Sequence, residues 1–150
     1  MVSSATRFFQ SVFRAAALMG LFAACAAGPA LAQSAKSEAA VIAVIQKQFD
    51  AFAADDAEQA FRLASPGIKA MSGNAQNFMV LVKVQYGVVY RHASAAFLKP
   101  TIIGKEALVK VRLTDENGVS WMVAYTLELQ KNKEWLISGC HIQGEQGTFV

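Results

Sequence analysis

The chain has 150 residues, 54% of them hydrophobic, with 14 Lys and Arg against 11 Asp and Glu. That length and apolar content fit one packed domain and exclude a disordered chain. A formal charge of +3 with no Lys/Arg-rich run argues against nucleic-acid binding.

The first 32 residues read as an address label. Arg7 and Arg14 with no acid make a positive start, and Ala15 to Ala27 form an almost unbroken apolar run. Gly28 and Pro29 break it, and Ala30-Leu31-Ala32 is an A-x-A cleavage site before Gln33. The expectation is a signal peptide over residues 1–32, one domain over residues 33–150, and a periplasmic or secreted protein. An alternative is a lipoprotein anchored at Cys25, since Phe22-Ala23-Ala24-Cys25 loosely matches the lipidation box. Its Phe is atypical, and the box lies inside the apolar run. The clean apolar stretch is shorter than the ~20 residues of a spanning helix, so no membrane span is expected once the leader is removed. Without the leader's two arginines the balance is 12 basic against 11 acidic residues, so the basic character belongs partly to the leader. Loss of Cys25 would also leave Cys140 as a free thiol with no disulfide partner.

Helical periodicity comes first in the remaining chain. Ser37 is a plausible N-cap for a helix to about Ala54, with Val41, Ile42, Ile45, Phe49 and Phe52 on one face and Lys47 and Asp50 on the other. Asp55-Asp56 is expected to end it and to cap a short helix over Ala57 to Leu63, which Ser65-Pro66-Gly67 stops. A third helix is expected from about Ala75 to Tyr86, ended by Gly87, with Val80 and Val84 on an unusually apolar outer face.

After Tyr90 the period changes to two. Ala93 to Ile103 reads as a bent strand with Pro100 at a bulge or an edge. Ala107 to Thr114, Val119 to Gln130 and Glu134 to Gln143 complete a four-stranded antiparallel sheet. A three-residue turn, Glu116 to Gly118 with Gly118 left-handed, pairs Val111 with Val123 and Leu113 with Trp121. It gathers Val109, Tyr125 and Leu127 on one face and leaves Lys110, Arg112, Ser120 and Glu128 on the other. A two-residue turn would mix the faces. The fold class is therefore α+β, three helices packed into a curved four-stranded sheet.

The order of elements and the Trp135-x-Ile137 pair resemble the cone-shaped nuclear transport factor 2-like (cystatin-like) superfamily. Three stretches, Phe49 to Ala70, Tyr86 to Phe97 and Trp121 to Cys140, more specifically resemble a bacterial exported family known as domain of unknown function 4864. The resemblance implies a cone fold and an exported setting, and it carries no activity. Superfamily relatives of the ketosteroid-isomerase type use an acidic base and a tyrosine facing an apolar pocket. Here Asp50 falls on the outer face, which puts proton abstraction in doubt.

Few residues promise chemistry. Cys140 and His141 are adjacent in a strand and must face opposite ways, so they make no nucleophile–base pair. Cys140 reads as a buried thiol packed like a small hydrophobe. No metal-ligand spacing links His92, His141 and the acids, and no phosphate-cradling glycine loop or Ser/His/Asp pattern occurs; neither metal nor cofactor is expected. His141 depends on the last hairpin. A three-residue loop, Lys131 to Lys133, puts Trp135, Ile137 and His141 beside Tyr125, whereas a two-residue loop puts Leu136 and Cys140 there. The first is preferred because it buries Trp135. Tyr86, Tyr90 and Arg91, at the helix–strand junction near the mouth of such a cone, could orient a ligand carboxylate or stack on a ring. The preferred alternative is that the tyrosines pack beneath the sheet while Arg91 caps a helix's carbonyl end. Asp55 and Asp56 are expected as helix caps.

Three functional readings stand. One is a non-catalytic module binding a small apolar ligand or a protein partner in or around the cone. The second is a small isomerase, dehydratase or cyclase using Tyr125, His141 and Tyr86. The third is a subunit that packs on its own copy, a homodimer, through Val80, Val84 and Met122.

Overall fold

The computed structural model describes residues 29–146. Residues 1–28, which hold most of the expected leader and Cys25, lie outside the described residues.

Five helices precede five strands. α1 (Pro29–Ala53) is already helical ahead of the expected Ser37 cap. The turns before Ser37 are exposed, and burial begins in earnest at Val41. From there the expected stripe of Val41, Ile45, Phe49 and Phe52 is buried, while Lys47 and Asp50 meet water. No helix among the described residues is long and apolar enough to cross a membrane.

α2 (Ala57–Arg62) is capped as expected by Asp56, whose carboxylate accepts from the Gln59 amide at 2.9 Å. Asp55 does something else: it takes a left-handed φ of 54° at the corner and turns its carboxylate back toward α5. Ser65-Pro66-Gly67 stops one helix and also starts another, α3 (Pro66–Ser72), with Ser65 as N-cap and proline at the first position, where its missing N–H has no partner to lose. α4 (Ala75–Gln85) starts at the Asn74 cap. Tyr86 breaks it, and the chain makes one further turn, α5 (Gly87–Tyr90). The helical half thus has five helices where periodicity suggests three. The two extra ones, of seven and four residues, are too short for an apolar stripe to develop.

The expected bent strand is two strands, β1 (Ser94–Phe97) and β2 (Thr101–Ile103), both antiparallel to β3 (Glu106–Thr114). The register slips by one residue across 98–100, which is where Pro100 cannot donate to the ladder. β3 and β4 (Ser120–Leu129) pair in the register that alternation demands, Val111 with Val123 and Leu113 with Trp121. Gly118 is left-handed at φ 81°, and Asp115 ties the turn by accepting from the amides of Asn117 and Val119. Val109, Tyr125 and Leu127 are buried on the helical side. β5 (Trp135–Gln146) completes an antiparallel sheet of order β1/β2-β3-β4-β5.

β5 does not keep one phase. Its hairpin loop spans three residues, with Lys133 left-handed, and Trp135 and Ile137 face inward as preferred. At Ser138 one extra residue is inserted, a β-bulge, so that Tyr125 pairs with Cys140 and Ala124 with His141. The alternation therefore reverses halfway along the strand. Cys140 comes to the helical side and His141 is exposed, so the inward placement of His141 is corrected.

The core lies between α1 and the inner sheet face. Phe49 sits at its centre, 5.9 Å from the Tyr125 ring and 6.0 Å from Phe97, with His92 edge-on at 4.5 Å. Burying a side chain of this size contributes about 2–3 kcal/mol, so α1 is held chiefly by this stripe. The segment between α2 and α3 adds a backbone tie, because Ser65 N–H donates to the Ile137 carbonyl at 2.7 Å and Ile137 N–H to Leu63 at 2.9 Å.

Candidate functional site

A cavity of about 190 Å³ lies between the helices and the bulged part of β5. Gln48 and Phe52 of α1 form its floor, Ile68, Met71 and Ser72 of α3 and Phe78, Leu81 and Val82 of α4 its sides. Tyr86 and Val89 close one end, and Tyr125 with residues Ile137 to Cys140 form the sheet wall. The lining is mostly apolar and contains no carboxylate, lysine, arginine or histidine. The cavity lies over the bulge, which turns Cys140 inward opposite Tyr125 and leaves His141 exposed.

Tyr125 is wholly buried, and its hydroxyl has no partner beyond the adjoining Cys140 thiol, too weak and too poorly aligned to satisfy it. A buried polar group left in this state costs about 1–3 kcal/mol, which makes it an uncommon feature of a settled core. Burial pushes its pKa well above the ordinary tyrosine value, and the neighbouring Cys140 adds to the rise. Burial likewise pushes the Cys140 thiol up to about 12, the Tyr125 hydroxyl beside it working the other way. Both groups are protonated at any physiological pH. Gln48 is the remaining deeply buried polar side chain of the lining; its amide Nε2 donates to the Ala60 carbonyl at 3.4 Å.

The candidate residues separate into three places. Tyr86, Tyr125 and Cys140 come together on the cavity. Tyr90 and Arg91 do not join them. The Tyr90 hydroxyl donates to Asp55, the Arg91 guanidinium stacks 3.9 Å above the Tyr90 ring, and its Nη2 binds Asp55 at 2.9 Å. Arg91 Nη1 also caps the Phe52 carbonyl at the end of α1, and Lys83 approaches Asp55 at 3.4 Å. These residues form a latch at the corner after α1, with polar atoms engaged by one another, and Arg91 sits at a helix's carbonyl end as in the packing alternative. His141 stands on the outer sheet face, away from the cavity.

His92 shares the core with Phe49 and does not line the cavity; burial lowers its pKa, so the imidazole is neutral near pH 7. No group of three His, Cys, Asp or Glu among the described residues is placed to hold a metal ion. Gln48 is the lining residue that sequence reasoning missed. Its signal was present, since it falls at i+3 from Ile45 and i−4 from Phe52, inside the apolar stripe where a polar residue needs a reason.

Fold and site together define an α+β protein with an apolar cavity between a helical layer and an antiparallel sheet. Residues 34–149 match the family described as Domain of unknown function (DUF4864), and the chain belongs to that family. No curated protein and no solved structure matches it.

Proposed function

We propose that this protein is an exported, non-catalytic module of the nuclear transport factor 2-like cone type that binds a small apolar ligand in the cavity beneath β4 and β5. One observation carries the reading: an apolar hollow whose lining has no charged side chain and in which one hydroxyl, that of Tyr125, is fully buried without a geometric hydrogen-bond partner. Helices preceding an antiparallel sheet, with a hollow between the two layers, support the cone assignment. Catalysis of the isomerase, dehydratase or cyclase type needs a base within reach of the substrate. The lining offers neither carboxylate nor imidazole, and the Cys140 thiol at about 12 is no base at neutral pH.

Export with cleavage after Ala32 agrees with the exposed first turns of α1, where Leu31 is 68% exposed. Removing them takes no buried side chain from the core. Self-association is a second reading, favoured by the outer face of α4, where Val80 is 60% and Val84 77% exposed. Met122 does not extend that patch, because it lies half-buried on the opposite sheet face, paired with Arg112.

Native mass spectrometry of the protein recovered from expressing cells tests these points together. The expected species begins at Gln33 and carries, or takes up, one small hydrophobic molecule. A mass showing lipid on Cys25 would overturn the cleavage assignment. Failure of any benzene-sized hydrocarbon to bind or to raise Tm would overturn the binding assignment.

A further inference from the structure

Resting on that binding assignment, we infer that the ligand is uncharged, about the size of one substituted ring, and carries a hydrogen-bond acceptor oxygen that receives the Tyr125 hydroxyl.

Size comes from the volume. An apolar protein cavity of about 150 Å³ accepts benzene, so about 190 Å³ seats one ring with a short substituent, and anything longer would extend past the exposed Met71 at the mouth. Charge comes from the walls. No lining side chain could neutralise an ionised ligand, and an unpaired charge moved into such a site would lose far more hydration than it regains.

Polarity comes from the accounting of donors. Gln48 Nε2 already serves Ala60, and Ser138 Oγ is turned to the outer sheet face, where it donates to Thr126 at 3.2 Å. Ser72 and Tyr86 also bring hydroxyls to the lining, but both residues are partly exposed, so water reaches them. Tyr125 is fully buried, and its hydroxyl has no partner beyond the adjoining Cys140 thiol. A phenol is a better donor than acceptor, since its oxygen lone pair is partly drawn into the ring. Cys140, its cross-strand neighbour on the same wall, contributes only a weak S–H donor. The wall therefore presents hydrogen-bond donors at one point of an otherwise greasy surface, which suits a ketone, aldehyde, ester or ether oxygen.

The test is a titration of the full chain and of Tyr125→Phe with three probes of similar shape: ethylbenzene, acetophenone and benzoate. Acetophenone is expected to lose about tenfold in affinity on going to Tyr125→Phe, the size of one hydrogen bond to a buried donor. Ethylbenzene is expected to bind both forms alike or the variant slightly better, and benzoate to bind neither. The carbonyl stretch of isotope-labelled acetophenone should move to lower wavenumber in the native chain relative to free ketone, a readout that needs no variant. An unshifted stretch, or equal loss for ketone and hydrocarbon, overturns the acceptor assignment while leaving the apolar site intact. Tight binding of benzoate overturns the charge assignment. No binding of ethylbenzene or acetophenone overturns the cavity reading on which the inference rests.

Discussion

Thr126 and Gly139 pair across β4 and β5 at the bulge. A Cβ on Gly139 would lie 2.6 Å from Thr126 Oγ1, inside any tolerable contact, and Thr126 is β-branched and stiff about χ1. Gly139→Ala is expected to destabilise the protein by about 1–2 kcal/mol, read from the denaturant midpoint, and Thr126→Ala in the same chain should recover most of it. If the single variant is as stable as the parent, the close packing at the bulge is absent in solution. Cys140 gives a second residue-level expectation. With its pKa at about 12, only about one thiol in 10,000 is ionised at pH 8, and thiolate is the reactive form. Alkylation of Cys140 in the folded chain should be at least about 100-fold slower than in denaturant. Comparable rates would place the thiol in open solvent.

At the scale of elements, α1 is joined to α5 by the corner latch of Asp55, Tyr90, Arg91 and Lys83. The Asp55 carboxyl lies below its ordinary value of 3.8, first because the Tyr90 hydroxyl hydrogen-bonds it, with Lys83 and Arg91 assisting. A carboxyl whose folded pKa is depressed binds its proton less readily in the native state than in the unfolded chain. Its stabilisation is therefore complete above the unfolded value and fades as pH falls through the folded one. Asp55→Asn keeps a side chain that tolerates the left-handed backbone at this corner while removing the charge. The Tm deficit of the variant should be greatest at neutral pH and narrow as pH drops below about 4. The charged groups Asp55, Lys83 and Arg91 are exposed and Tyr90 is half-buried, so the deficit should be small and should shrink further in high salt. A deficit independent of pH would mean that the latch works through shape and not through charge.

For the whole molecule, the exposed first turns of α1 matter most. Residues 30–36 are all exposed, and the buried stripe starts at Val41. A chain beginning at Gln33 should therefore melt within a degree or two of one beginning at Pro29, because stability follows buried apolar area and not helix length. A large loss would show that the early turns pack on something, such as a second copy. The same layered arrangement explains why the cavity sits at the β5 end. Two backbone hydrogen bonds from the α2–α3 link occupy Ile137, so the link and β5 move as one wall.

Local alternation was enough to determine the β3–β4 register, the left-handed Gly118, the buried stripe of α1 and the Asp56 cap. Each depends on neighbours within a few residues or on one hairpin, where a single slip would turn every apolar side chain into water. Tertiary structure alone decided the phase of β5 past Ser138, and with it which of Cys140 and His141 meets the cavity. That bulge is set by fit against Thr126 on one side and the α2–α3 link on the other, partners 12 and more residues away. An isolated glycine at 139 was its single local mark. The same holds for Asp55, whose partners lie some 30 residues on in α4, α5 and Arg91. Periodicity reports which side of an element is greasy, and only the packed chain reports where two such sides fail to meet and leave a hollow.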